Sequence, residues 1–281
     1  MKIGLFLLVF TPALIKSQNS YNTDDQFSLN NPSSFSDQKI HSTGLLNFGS
    51  LENLNYLSAF MLYKQKIKAF SIGLNSEITR FHSFFLSKSE IQLAYSYRIN
   101  RNYTLNSGLG LAGRTDNYFS ADQFNPAYFG LNAGISLVSK KGYVGLSLLN
   151  VTSEKRIIDT LTFHVPTYAS IVGSYDFKLD SLGKFHLIPS FYMEIGSSGF
   201  NSSLYNLKLN FLSHSFGLTY TSYQPSIFYQ YLFKKGISLG IALGTYFSPL
   251  NNSFDKSFNG MVRINYRLKR RVFICSGTPS F

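Results

Sequence analysis

The sequence predicts an all-β protein that forms one antiparallel, up-and-down transmembrane β-barrel of about 14 strands. Three observations predict this fold. Apolar and polar residues alternate with a period of two in many segments. Charged residues make up only 14% of the chain, against roughly 25% in an average soluble domain. After the first seventeen residues, no apolar stretch approaches the roughly 20 residues that a spanning helix needs.

The N-terminal residues read as an export signal, residues 1–17, followed by a short segment before the barrel. Lys2 supplies the positive charge, Ile3–Leu14 supply the apolar run, and Ser17 offers a small residue for cleavage. We expect residues 18–41 to form a periplasmic or plug segment, residues 42–268 the barrel, and residues 269–281 a basic C-terminal tail.

The strands are placed where alternating segments approach the length of about 9–11 residues that a tilted spanning strand requires. Tyr205–Phe211 is typical, because its aromatic and aliphatic residues share one face and its Asn and Lys residues share the other. The predicted strands lie near Ser42–Phe48, Ser58–Lys64, Ala69–Thr79, Ser89–Ile99, Tyr103–Gly113, Phe129–Ser139, Tyr143–Asn150, Thr167–Leu179, Phe185–Ile195, Leu204–Leu212, Ser215–Tyr223, Ser226–Phe233, Ile237–Thr245 and Asn259–Leu268.

The links between these strands are predicted to alternate between short and long. The predicted long links are Gly49–Leu57, Arg80–Lys88, Arg114–Tyr128, Val151–Pro166, Gly196–Ser203 and Tyr246–Phe258. Outer-membrane barrels have short periplasmic turns and longer external loops. This alternation places both termini on the periplasmic side, although the short link Gln224–Pro225 falls where a long loop is expected.

Basic residues gather at the end of the barrel that this arrangement makes periplasmic. We predict that they dock an acidic periplasmic partner or cargo segment, and contact with phospholipid headgroups is the alternative explanation. Nucleic acid is excluded as a partner despite the net charge of +12, because an exported barrel does not meet it. The predicted docking residues are Lys64, Lys66, Lys68, Arg101, Lys140, Lys141, Lys234, Lys235, Lys269, Arg270 and Arg271.

Motifs for catalysis or cofactor binding are weak. Gly108–Gly113 matches a dinucleotide-binding pattern, but its glycines lie within an alternating strand, where they leave room inside the barrel or permit strand coiling. Cys275 is the only cysteine, and the five histidines form no metal-binding pair. We therefore expect no enzyme activity, cofactor or metal, although a serine–histidine hydrolase site assembled from distant strands stays open.

A few charged residues are predicted to point into the lumen. Asp176 and Glu194 are expected on adjacent strands near Lys178 and Lys208. A paired carboxylate site is conceivable there, but an internal network of salt bridges is the favoured interpretation. Arg263, on the last strand, is assigned to the same class.

Several short stretches resemble one family of bacterial membrane proteins. Asp25–Pro32 looks like an early Asn-Pro element, and Phe129–Leu137 followed by Lys140–Asn150 looks like a central Gly-bearing hairpin. Leu187–Ser190 and Phe216–Tyr220 resemble two later strands. These stretches are similar to the PorP/SprF family, which is linked to type IX secretion and gliding motility in Bacteroidetes.

The resemblance implies a non-enzymatic outer-membrane component that assists export or surface attachment of large adhesin-like cargo. The implied partners are outer-membrane lipid, type IX secretion components and that cargo, and the resemblance implies no catalytic residue. The alternative is an outer-membrane channel for small solutes or hydrophobic compounds.

Overall fold

The computed structural model describes most of the predicted barrel and two short parts of the segment before it. The described residues are 31–34, 38–51, 54–81, 84–118, 128–152, 155–158, 161–164, 167–196, 199–221, 224–233, 236–248 and 253–269. Among them, no helix has the length and apolar character needed to cross a membrane. The predicted signal peptide and the tail after Lys269 lie outside the described residues.

Fourteen long strands form the wall, as the sequence predicts. They are β1 Gln38–Leu51, β2 Leu54–Ile67, β3 Phe70–Phe81, β4 Phe84–Arg98, β5 Tyr103–Tyr118, β6 Tyr128–Ser139, β7 Gly142–Leu149, β10 Tyr168–Tyr175, β12 Phe185–Gly196, β13 Gly199–Phe211, β14 His214–Thr221, β15 Gln224–Leu232, β16 Ile237–Ser248 and β17 Ser253–Lys269. The described residues also form three short strands: β8 Lys155–Ile158, β9 Leu161–His164 and β11 Phe177–Lys178.

The wall is a closed antiparallel ring. Each wall strand pairs with its neighbours in the chain, and β10 pairs with β7 on one side and β12 on the other. The first strand pairs with the last, with Gly44 of β1 opposite Ile264 of β17. Closure pairs the backbone N–H and C=O groups of β1 with those of β17. In hydrocarbon these groups need such partners, because no water is present to bind them.

The two faces of the wall carry opposite kinds of side chain. Leu207, Leu218 and Ile227 lie side by side on β13, β14 and β15, and all three are exposed on the outer face. One position away on two of these strands, Asn206 and Thr219 point inward and are buried. A soluble protein shows the reverse distribution. The exposed apolar belt therefore identifies a surface that faces lipid.

The two ends of the barrel are distinguished by the chain termini. We call the end where β1 begins and β17 ends the terminal end. Its described links include Lys68–Ala69 between β2 and β3 and Leu212–Ser213 between β13 and β14. We call the other end the distal end, and the hairpin formed by β8 and β9 belongs to its longest link.

The predicted long links at the distal end are mostly wrong. Only residues 52–53, 82–83 and 197–198 separate the strands at three of them, because the flanking strands continue through most of each predicted loop. The predicted loops Arg114–Tyr128 and Tyr246–Phe258 shrink to residues 119–127 and 249–252, and Val151–Pro166 contains the hairpin of β8 and β9. Ladder hydrogen bonds extend strands where polar residues interrupt the apolar pattern, so periodicity alone underestimates their length.

A carboxylate organises one turn of the terminal end. Asp180 accepts hydrogen bonds from the backbone N–H groups of Phe185, at 2.8 Å, and Lys184, at 2.8 and 3.0 Å. Gly183 completes the turn with a positive φ of 64°, a conformation that glycine adopts without steric cost. The N–H group of Phe185 and then that of Lys184 hold the pKa of Asp180 below its ordinary value of 3.8.

This turn is expected to respond to acid in one direction. Because the folded pKa of Asp180 is lowered, its contribution is present above pH 3.8 and is lost as the pH falls through that lowered value. Hydrogen exchange should therefore show the protection factors of the Lys184 and Phe185 amides falling in that acidic range. In the Asp180→Asn variant, protection should be low at every pH, and an unchanged pH profile would contradict this role.

Candidate functional site

A buried turn inside the barrel is the first part of the candidate site. Residues Asn31–Ser34, which we call the lumen turn, close on themselves through the Ser34 N–H group, which donates to the Asn31 carbonyl at 3.0 Å. The Asn31 Oδ1 atom accepts from the backbone N–H and the hydroxyl of Ser33, at 2.9 and 2.6 Å. Such side-chain bonds are the reason that Asn favours turns. The Asn31 Nδ2 atom then donates to the Leu146 carbonyl of β7 at 3.1 Å.

Two wall side chains hold the backbone of the lumen turn. The ammonium group of Lys64, on β2, donates to the Ser34 carbonyl at 3.2 Å and also to the Ser34 hydroxyl. The hydroxyl of Ser136, on β6, donates to the Ser33 carbonyl at 3.0 Å. These contacts supply partners to backbone groups that would otherwise be buried without them.

Three glycines of the wall make the space that the lumen turn occupies. A Cβ atom on Gly108 would overlap the backbone of Pro32, and one on Gly134 would lie 2.9 Å from Asn31 Cγ. A Cβ atom on Gly110 would lie 3.3 Å from the ring of Pro32 and would overlap a neighbouring carboxylate oxygen. The prediction that the glycines of Gly108–Gly113 leave room inside the barrel is therefore confirmed for Gly108 and Gly110. We call Gly108, Gly110 and Gly134 the glycine socket.

A buried cluster of charged and amide side chains adjoins the socket. Glu90 on β4 accepts hydrogen bonds from Asn75 Nδ2 at 3.3 Å and Gln92 Nε2 at 3.2 Å. Its Oε2 atom also lies 3.5 Å from the ammonium group of Lys88, and its charge attracts that of Lys64. The carboxylate thus links the amides of β3 and β4 to the lysine that holds the lumen turn.

Apolar side chains fill two further parts of the interior. One cluster comprises Leu45, Phe60, Leu62, Ala242 and Met261, with Phe228 packed against it. The other comprises Val172, Tyr192 and Leu204, with Tyr143 packed against it. Polar inward side chains are also shielded, since Asn47 and Gln92 have no exposed surface. These described inward side chains are therefore shielded from bulk solvent. The lumen of a porin, by contrast, is filled with water.

Basic side chains crowd the terminal end. We call the following eight the basic cluster: Lys66, Lys68, Arg98, Arg101, Lys140, Lys141, Lys178 and Lys184. All of them are exposed except Lys66, which is partly exposed. The two described acids at this end have local partners: Asp180 caps its turn, and Asp176 lies 2.7 Å from the His186 ring. The end is therefore strongly positive.

The predicted docking residues do not all belong to this surface. The structure places Lys66, Lys68, Arg101, Lys140 and Lys141 in the basic cluster. Lys64 is a correction: its side chain points into the lumen and is 3% exposed, because it shares the inward face of β2 with Phe60 and Leu62. Lys269 is the last residue of β17. Lys234, Lys235, Arg270 and Arg271 lie outside the described residues.

The predicted neighbourhood of Asp176 and Glu194 is wrong. Asp176 follows the end of β10 at the terminal end, whereas Glu194 pairs with Ser170 near the distal end of β12. Strands rise about 3.3 Å per residue, so the length of the wall separates the two carboxylates. Glu194 accepts a hydrogen bond from Ser202 at 3.3 Å, and Arg263 donates to Gln230 at 3.3 Å.

The sequence predicts inward positions for Glu194 and Arg263, which are both buried, but the inward charge of Glu90 was missed. Glu90 lies on a strand that was predicted, and it shares the inward face with Gln92, so the period-two pattern contains the signal. The seating of Asn31 against Gly134 has no such signal, because it joins distant parts of the chain. Within the described ranges, no group of three His, Cys, Asp or Glu side chains is arranged to hold a metal ion.

Solved barrels of the same general shape are transporters and channels. The Ralstonia pickettii toluene transporter TbuX matches with a TM-score of 0.53 and 8% identity, over 86% of this chain and 93% of that one. The CymD monoaromatic hydrocarbon channel matches with a TM-score of 0.53 and 10% identity, over 87% and 92%. The P. putida toluene transporter TodX gives 0.51 and 9%, over 85% and 93%. At such low identity, these matches establish the fold alone.

A family comparison is more specific. Residues 36–264 match the family described as type IX secretion system membrane protein PorP/SprF. This range takes in nearly the whole wall, from the residues before β1 to the middle of β17. No curated protein sequence matches the chain.

Proposed function

Because the chain belongs to the PorP/SprF family of type IX secretion system membrane proteins, we propose that it assists export or surface attachment of adhesin-like cargo. In this role it is a non-enzymatic outer-membrane component, exported with its signal removed near Ser17. The terminal end faces the periplasm. There the basic cluster docks an acidic segment of the cargo or of a periplasmic secretion component.

The charge of the terminal end is the observation that carries this proposal. The basic cluster is exposed, spreads over several links of the ring, and faces only two described acids that are already engaged locally. Complementary charge steers a partner to a surface and fixes its orientation. Solvent-exposed charges are screened by salt within about 8–10 Å, so docking should weaken as ionic strength rises.

The competing channel function requires an open passage through the barrel. The shielding of the described interior argues against it: the lumen turn occupies the socket, and inward amides such as Gln92 and Asn265 are almost completely shielded. The channel hypothesis predicts strong conductance of the purified wild-type protein in planar bilayers. The secretion proposal predicts little conductance without partners.

Charge reversal tests the docking surface. The variant with Lys66, Lys68, Lys140 and Lys141 each changed to Glu should lose co-purification of secretion components or cargo by about tenfold or more, the effect of roughly 1.4 kcal/mol of binding energy. Attraction becomes repulsion at three exposed positions and one partly exposed position, so association should slow as well. Co-purification from cells, quantified by mass spectrometry, provides the measurement.

A matched pair of variants controls for a general effect of charge. Lys140→Glu with Lys141→Glu changes two adjacent residues at the terminal end, and Lys155→Glu with Arg156→Glu changes two adjacent residues of β8. Only the first pair should reduce co-purification. If the fourfold variant inserts normally and retains all its partners, the docking proposal is wrong and contact with lipid headgroups explains the basic cluster.

A further inference from the structure

The lumen turn is an insert in the barrel rather than a part of its wall. All wall strands find partners on both sides without it, and the ring closes through β1 and β17. Asn31–Ser34 contribute no rung to any ladder. Withdrawal of the turn therefore breaks no hydrogen bond between strands, and the closed wall remains intact without it.

The contacts that seat the turn are local and polar. They join the Ser33 and Ser34 carbonyls to Ser136 and Lys64, and the Asn31 amide to a β7 carbonyl. Water can replace each of these partners once the turn leaves, which is why the net strength of one such bond is modest. The fit to the glycine socket supplies the rest of the specificity.

The Lys64 ammonium group, which holds the turn, is still attracted by the Glu90 carboxylate when the turn is absent. Removing the Ser34 oxygens takes hydrogen-bond partners from Lys64, but Glu90 still attracts its ammonium group. Glu90 in turn remains bonded to Asn75 and Gln92. A buried cation without any counter-charge would make an empty socket very costly, and the Glu90 carboxylate offsets part of that cost.

The turn is tethered at the terminal end. Three residues, 35–37, separate Ser34 from Gln38, the first residue of β1. Four residue steps reach at most about 14 Å in an extended chain. The turn therefore leaves its socket toward the terminal end, beside the basic cluster.

We propose that Asn31–Ser34 is a tethered gate of the barrel. Seated in the glycine socket, it closes the part of the lumen bounded by the strands from β2 to β7. Withdrawn toward the terminal end, it opens a polar passage that admits water and small hydrophilic solutes. The walls of that passage carry the amides of Asn75, Gln92 and Asn106, which are inward on three of the neighbouring strands.

The proposal is tested by filling the socket. In the full chain, Gly108→Ala combined with Gly134→Ala places two Cβ atoms where the turn lies. Overpacking of this kind should shift the equilibrium toward the withdrawn state by about tenfold or more, equivalent to roughly 1.4 kcal/mol. Conductance in planar bilayers should rise by a similar factor. Gly240→Ala is the matched control, since a Cβ there meets only ordinary contacts at 3.4–3.6 Å.

A second readout follows the turn itself. In a Cys275→Ser background, Ser33→Cys provides a single thiol that is buried when the gate is seated. A water-soluble maleimide should label it about tenfold faster in the socket-filled variant than in the Gly240→Ala control. Far-UV circular dichroism and heat-dependent gel migration establish that both variants form barrels.

Two results would overturn the gate. In the first, the wild-type barrel conducts as strongly as the socket-filled variant. In the second, the socket-filled variant forms a normal barrel but shows unchanged labelling and conductance. Neither result bears on co-purification by the basic cluster, so failure of the gate and failure of the docking proposal are distinguishable.

Discussion

Replacement of Leu218 by Arg is expected to destabilise the barrel by about 2–4 kcal/mol, the cost of an Arg side chain near the middle of a lipid-facing strand. Leu218 lies at the centre of β14 and is 60% exposed, between Leu207 and Ile227 on the adjacent strands. In a soluble protein, an exposed Leu tolerates this change at little cost. Here the exposed face contacts hydrocarbon, so the guanidinium group loses its hydration.

The matched control is Leu182→Arg. Leu182 is also exposed, at 75%, but it lies in the turn between β11 and β12, outside the strands of the wall. Its replacement should change the free energy of unfolding by less than about 1 kcal/mol. Urea titration in lipid vesicles measures both, followed by far-UV circular dichroism because the chain has no Trp. Equal, small effects at both positions would refute the lipid-facing assignment of the belt.

Replacement of Glu90 by Ala is expected to cost about 3–5 kcal/mol, the penalty for removing one member of a buried charged group. The change removes the carboxylate that lies 3.5 Å from the ammonium group of Lys88 and attracts the buried ammonium group of Lys64. It also removes one hydrogen-bond acceptor from each of the buried amides of Asn75 and Gln92. Urea titration in vesicles should show a lower midpoint with an unchanged slope.

Two further variants decide what Glu90 contributes. Glu90→Gln keeps an acceptor oxygen but loses the charge, so its effect should fall between those of wild type and Glu90→Ala. Glu77→Ala removes a partly exposed carboxylate from β3, opposite Lys88, and should cost less than about 1 kcal/mol. A Glu90→Ala barrel as stable as Glu77→Ala would mean that the inward cluster contributes little to stability.

The wall of the barrel could be predicted because the alternation of apolar and polar side chains is visible within each short segment of the sequence. In β14, Leu218 faces lipid and Thr219 faces the barrel interior. Successive residues of a strand alternate between its two faces, so the sequence alone predicts this arrangement. The strand ends could not be predicted in the same way. Residues such as Arg80 and Lys88 interrupt the apolar pattern, yet they continue β3 and β4 because ladder bonds do not depend on the side chain.

The candidate site also combines features that the local sequence predicts with features that depend on the three-dimensional fold. The exposed position of Lys140 and Lys141 follows from their place in a two-residue link, and it was predicted correctly. Lys64 lies near the terminal end of β2, but the period-two alternation of that strand places its side chain on the inward face, so its predicted docking position is wrong. The seating of Pro32 against Gly108 joins residues 76 positions apart, and only the three-dimensional fold brings them together.

The pairing of β1 with β17 has a consequence for biosynthesis. The partner of Gly44 is Ile264, more than 200 residues later in the chain, so synthesis must be almost complete before this seam can form. Until then the incomplete sheet has two edge strands with unpaired backbone groups, and such edges promote aggregation. A product truncated before residue 253 lacks the closing strand altogether, and we expect it to be degraded rather than inserted.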